Sequence, residues 1–99
     1  MFGFIKRWQE RRRRKTILKD IKKAKILYIN GRAHCICHSF NVVDANKYDN
    51  YYEIQKNIPE FNPELFNVVP RTVRGFWWSF DDRDSRIKAF DKLIEIYSK

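Results

Sequence analysis

Apolar residues recur along the first third of the chain at the spacing of a helix. Ile17, Ile21, Ala24 and Tyr28 share one face, and Leu18 and Leu27 widen that stripe. Neither glycine nor proline interrupts the run from Phe4 to Asn30. Asn30-Gly31 is a helix stop, because glycine readily takes the left-handed conformation that ends a helix. The pattern predicts one long helix over 4–30, its first half exposed. Phe4, Ile5 and Trp8 form a separate small apolar face near its start. A helix this long outreaches a globule of 99 residues, so part of it is expected to pack on another chain or a surface.

The segment "RAHCICHSFNVV", residues 32–43, places Ala33, Ile36, Cys37 and Phe40 at spacings that suit a buried second helix, antiparallel to the first. Its run ending in two valines also fits a strand. Residues 44–49 are a polar connector. Asn50 with Glu53 three residues on is a capping-box-like start, and Tyr51, Ile54 and Ile58 form a short helix that ends before Pro59. Asn62-Pro63-Glu64 repeats the logic and predicts one further turn through Asn67. Val68 to Phe80 lacks helical pattern and reads as extended. Ser79 or Asp81 then caps a last helix striped by Ile87, Phe90, Leu93, Ile94 and Tyr97. Asp81, Asp82 and Asp84 complement the positive end of that helix, and Asp82–Arg86 and Asp84–Lys88 are favourable i,i+4 pairs. The fold expected is all-α: a long N-terminal helix and a compact bundle of three to four shorter ones, with an extended aromatic-rich segment before the last. It reads as a single domain over 1–99, divided into a basic helical extension at 1–15 and a helical body at 16–99.

Charge changes the picture. The chain carries +9, but residues 1–19 hold eight basic side chains against one acid, and residues 20–99 hold thirteen against eleven. The basic character therefore belongs mainly to one segment, which points to an anionic partner. Arg11, Arg12, Arg13, Arg14 and Lys15 form its densest run. Consecutive helical residues spread around the circumference, so the run is not a one-sided stripe. It suits sequence-independent contact with a phosphate backbone. An interfacial membrane anchor is a weaker fit, because the apolar patch spans only two turns. No stretch approaches the roughly 20 apolar residues that a membrane span needs, and the opening "MFGFIKRWQERRRRK" lacks the layout of a secretory signal.

A second candidate site lies in "RGFWWSFDDRDSR". Guanidinium groups grip phosphates through a bidentate fork, and aromatic faces stack on bases. Core burial is the commoner fate of such aromatics. Strand-like alternation sends Phe76 and Trp78 to the core and leaves Trp77, with Arg74 and Arg71, for a ligand. Arg32 or residues of the basic run are expected to complete that pocket. "HCICH" puts His34 and His38 on one helical face, but no second Cys/His pair exists to finish a zinc site. Three glycines leave no phosphate-binding loop, and no nucleophile–base–acid arrangement can be argued from spacing. Neither metal nor cofactor is expected, and enzyme activity is not expected.

From about Arg32 onward the chain resembles small, mostly uncharacterised proteins of bacteriophages and prophages. The residues that carry this are "CHSF", "IPEFNPELF" and "GFWWSFDDRDSRIKAFDKLIEIY". The resemblance implies a phage origin and the cytoplasm of an infected bacterium, and it transfers no catalytic residue. The combined expectation is a non-enzymatic homo-oligomer that captures a phosphorylated nucleotide ligand, as a counter-defence protein would. The alternatives are nucleic-acid binding through the basic helix and inhibition of a host protein by direct binding.

Overall fold

The computed structural model describes residues 2–61 and 83–99, with the backbone alone for Phe2 and Phe4. The first element, α1 (Phe2–Ile29), is the spine of the molecule. At 1.5 Å per residue its 28 residues run about 42 Å, nearly the whole 46 Å long dimension. Ile17, Ile21, Ala24 and Tyr28 are buried on one side, as their spacing predicts. α1 ends in a paired cap. The Arg32 N–H donates to the Leu27 carbonyl at 2.9 Å, and the Gly31 N–H donates to Tyr28 at 3.1 Å. That geometry needs a left-handed residue after the helix, and Gly31 supplies it at φ 75°.

The second helix, α2 (Ile36–Val43), starts four residues later than its periodicity suggests. Gly31 and Arg32 spend their N–H groups on closing α1, and the chain is extended at Cys35, φ −155°. Cys35 then caps α2: its Sγ accepts from the His38 N–H at 3.3 Å. The strand alternative is not adopted. Ala33, Ile36 and Phe40 are buried, with Ser39 between them. The Ser39 hydroxyl satisfies itself on the Cys35 carbonyl at 2.9 Å.

The connector is held by a side-chain turn. Asp44 Oδ1 accepts from the Asn46 and Lys47 N–H groups, each at 3.1 Å. It delivers Tyr48, completely buried, into the core. The third helix, α3 (Tyr51–Asn57), begins where Asn50 Oδ1 accepts from the Glu53 N–H at 3.1 Å, and it stops before Pro59 as expected. The turn expected at 62–67, the extended segment at 68–80 and the capping at Ser79 or Asp81 lie outside the described residues. So does the Asp82–Arg86 pair. The last helix is α4 (Arg83–Tyr97). Ala89, Phe90, Leu93 and Tyr97 are its buried residues, while Ile87 and Ile94 pack partly buried against them. Asp84 and Lys88 make no ion pair with each other, and Arg86 Nη1 donates to the Tyr28 hydroxyl at 3.2 Å.

α1 packs against both α2 and α4, and one apolar cluster joins all four helices. Phe40 is its hub. Its ring lies 5.3 Å from Tyr48, 5.8 Å from Phe61 and 6.1 Å from Phe90, tilted or edge-on, which are favourable aromatic geometries. The all-α expectation holds: among the described residues there are four helices and no strand.

Candidate nucleic-acid interface

A helix turns 100° per residue, so α1 shows opposite chemistry on opposite sides. The buried line Ile17, Ile21, Ala24, Tyr28 faces the core. Half a turn away run Trp8, Arg12, Lys15, Lys19 and Lys22, spaced i, i+4, i+7, i+11 and i+14, with Lys23 and Arg11 beside them. All seven are exposed. Lys15, Lys19 and Lys22 line a shallow open depression with Thr16 and Leu18.

Neither acid of α1 neutralises this face. Glu10 is held by Arg13, whose Nη2 and Nε donate at 2.8 and 3.0 Å. The bond lowers the Glu10 carboxyl and raises the Arg13 guanidinium, so both stay ionised. Asp20 turns inward, accepting from the Tyr48 hydroxyl at 2.7 Å and Lys47 Nζ at 3.1 Å. Among the described residues no carboxylate lies within ion-pair reach of Arg11, Arg12, Lys15, Lys19, Lys22 or Lys23.

The five-residue basic run divides. Arg11, Arg12 and Lys15 face outward. Arg13 and Arg14 bind the body. Arg13 Nη1 donates to the Asn57 carbonyl at 3.2 Å. Arg14 Nη2 donates to the Ile96 carbonyl at 2.9 Å, and its guanidinium lies 4.5 Å from the Tyr97 ring centroid. Residues 1–15 are thus not wholly an extension, because the last turn of that stretch already belongs to the packed body. Arg14 stands three residues before Ile17 and seven before Ile21, and that spacing was the available signal. Lys19, Lys22 and Lys23, which prolong the outward line, were not singled out from the sequence, since they lie beyond the arginine run.

Arg71, Arg74 and Trp77 lie outside the described residues. Arg32 is exposed, and its backbone N–H is committed to the α1 cap. At the opposite end of α1 a different arginine–aromatic group is assembled. Arg83 and Arg86 stand 5.8 and 6.0 Å from the Tyr28 ring centroid.

His34 and His38 do meet, with ring centroids 4.3 Å apart and stacked. The cap before α2 brings them together, because His34 precedes the helix and its N–H donates to His38 Nδ1 at 3.3 Å. Burial pushes the Cys37 thiol up to about 12, which keeps it protonated and a poor nucleophile near neutrality. Among the described residues no group of three or more His, Cys, Asp or Glu is placed to hold a metal. Among the described residues no helix is long and apolar enough to cross a membrane. No protein-family model, no curated protein and no solved structure matches the chain.

Proposed function

We propose that the protein is a non-enzymatic binder of nucleic acid that grips the phosphate backbone with the outward face of α1. One observation carries this reading. Arg12, Lys15, Lys19, Lys22 and Lys23 lie exposed along one side of a helix whose two acids are occupied elsewhere. Uncompensated cations in a row attract a polyanion and release its condensed counterions, whatever its sequence. The test replaces Lys15, Lys19 and Lys22 together by Gln. All three are exposed, so the fold tolerates the change. Oligonucleotide affinity is expected to weaken, and the slope of log K against log salt to flatten by about 2–3. An unchanged slope sinks the reading.

Capture of a phosphorylated nucleotide is the second reading. Arg83 and Arg86 around Tyr28 favour it, since guanidinium and aromatic groups suit a phosphate and a base. Trp77, Arg74, Arg71 and Arg32 remain its proposed ligand contacts, in a pocket where copies of the chain meet as a homo-oligomer. The resemblance to phage proteins supports a counter-defence role in the cytoplasm of an infected bacterium. Calorimetric titration with cyclic dinucleotides and ADP-ribose derivatives tests it. Saturable binding that is lost in Trp77→Ala and indifferent to the lysine replacements favours capture over backbone binding. Silence across the panel removes it.

A further inference from the structure

The basic line on α1 ends in an exposed indole. Trp8 keeps 52% of its surface open to solvent, and it is in register with Arg12, Lys15, Lys19 and Lys22. At 1.5 Å per residue the line from Trp8 to Lys22 covers about 21 Å. The Arg12 guanidinium lies 4.8 Å from the Trp8 ring centroid. This contact holds the ring beside the cations and leaves half the residue uncovered. Resting on the backbone-binding reading, we propose that the ligand of this face is single-stranded nucleic acid, with Trp8 as the plate on which an unpaired base stacks.

Two features select a single strand. A duplex hides its base faces in its own stack and shows only edges and phosphates, whereas an unpaired base offers its face to an aromatic ring. Arg12 adds a cation beside the plate, a pairing that such sites use. The charge on the midline of the exposed face, arginine and lysines from 12 to 22, is compatible with one phosphate strand running along it. An anionic membrane fits less well. An interfacial helix needs an apolar face opposite its cationic one, and on α1 that opposite face is already spent on the core from Ile17 to Tyr28.

Fluorescence anisotropy decides the matter, using a labelled mixed-sequence single-stranded 20-mer and its duplex, with the full chain throughout. Wild-type protein is expected to bind the single strand at least fivefold tighter. Trp8→Ala is expected to lower single-strand affinity roughly tenfold, leaving duplex affinity and the salt slope unchanged. Trp8→Phe, which keeps an aromatic face, is expected to retain most of the binding. Equal affinities for strand and duplex, insensitive to Trp8→Ala, overturn the single-strand assignment and leave backbone binding standing. Binding to neither oligonucleotide, or only to vesicles containing phosphatidylserine, overturns both. If Trp8→Ala loses helicity by circular dichroism, Trp8→Phe and the strand–duplex comparison in wild-type protein still decide.

Discussion

At the scale of single residues, the sharpest dependence is on Asp20. It is one of two acids in α1, and it satisfies a completely buried tyrosine. Removing it strands the Tyr48 hydroxyl and takes the partner from Lys47. Asp20→Ala is therefore expected to lower stability by about 1–3 kcal/mol in urea unfolding. Tyr48→Phe in the same chain is expected to recover part of that loss, since an apolar pair leaves no orphaned donor. Alkaline pH probes the same bond and one other. Burial raises the Tyr48 and Tyr97 phenols, and hydrogen bonds to Asp20 and Glu60 raise them further. Phenols in the unfolded chain release their protons near pH 10, while these two keep theirs when folded. Their contribution is complete below about pH 10 and is lost as pH rises above it. The urea midpoint should fall on the alkaline side, and Tyr97→Phe should make that fall shallower. Sequence inspection could not find this bond. Tyr48 sits in the polar string "ANKYDN", and its partner is 28 positions away. A lone acid near the apolar line of a basic helix was the only mark.

At the scale of elements, local rules hold wherever a helix end uses its usual chemistry. The stop at Asn30-Gly31 and the Asn50 cap are both legible in sequence, because each is made by residues within a few positions of one another. α2 departs from its apolar pattern because its cap is a cysteine thiol, a weak acceptor outside the common capping set. Periodicity alone runs the helix back to Arg32, since it cannot sense that Arg32 is already bonded to Leu27. Ala89 was overlooked on α4 for a related reason. A small side chain adds little to an apolar stripe, yet it is buried where α4 meets the core. The α1 cap allows a clean test. Nothing lies within 4 Å of a β-carbon built on Gly31, so Gly31→Ala meets no steric clash. Its cost is purely that of holding an L-residue at φ 75°, about 1–2 kcal/mol. A loss of that size in urea unfolding, with unchanged helicity, is expected; no loss would mean that residue 31 leaves the left-handed region without cost to the cap.

At the scale of the whole molecule, α1 presents two chemically different faces from one sequence, and the division falls inside the arginine run. The uneven charge along the chain was legible, and it marked the helix that carries the exposed basic face. The face that carries it was not, because five adjacent basic residues cover the circumference and only tertiary packing sorts them. Arg13 reaches the end of α3, and Arg14 clamps the end of α4. Arg12 and Lys15, their immediate neighbours, are left outside. Truncation separates the two faces. Deleting residues 1–9 removes Trp8 but leaves the Arg13 and Arg14 contacts intact. Thermal unfolding of that protein is expected to match the full chain within about 0.5 kcal/mol, as for surface changes generally. Deleting residues 1–15 also removes two arginine–carbonyl bonds and the cover over Tyr97. Charged hydrogen bonds contribute about 1.5–3 kcal/mol each when partly shielded, and Arg13 is too exposed to reach that range. A loss near 2 kcal/mol, mostly from Arg14, is therefore expected, and Arg14→Ala in the full chain should reproduce most of it. Should both truncations unfold at the same temperature, Arg14 is not a clamp and the packed body begins at Ile17. Loss of nucleic-acid binding after deleting 1–15 then speaks to the interface only when set against the lysine replacements, which leave every clamp in place.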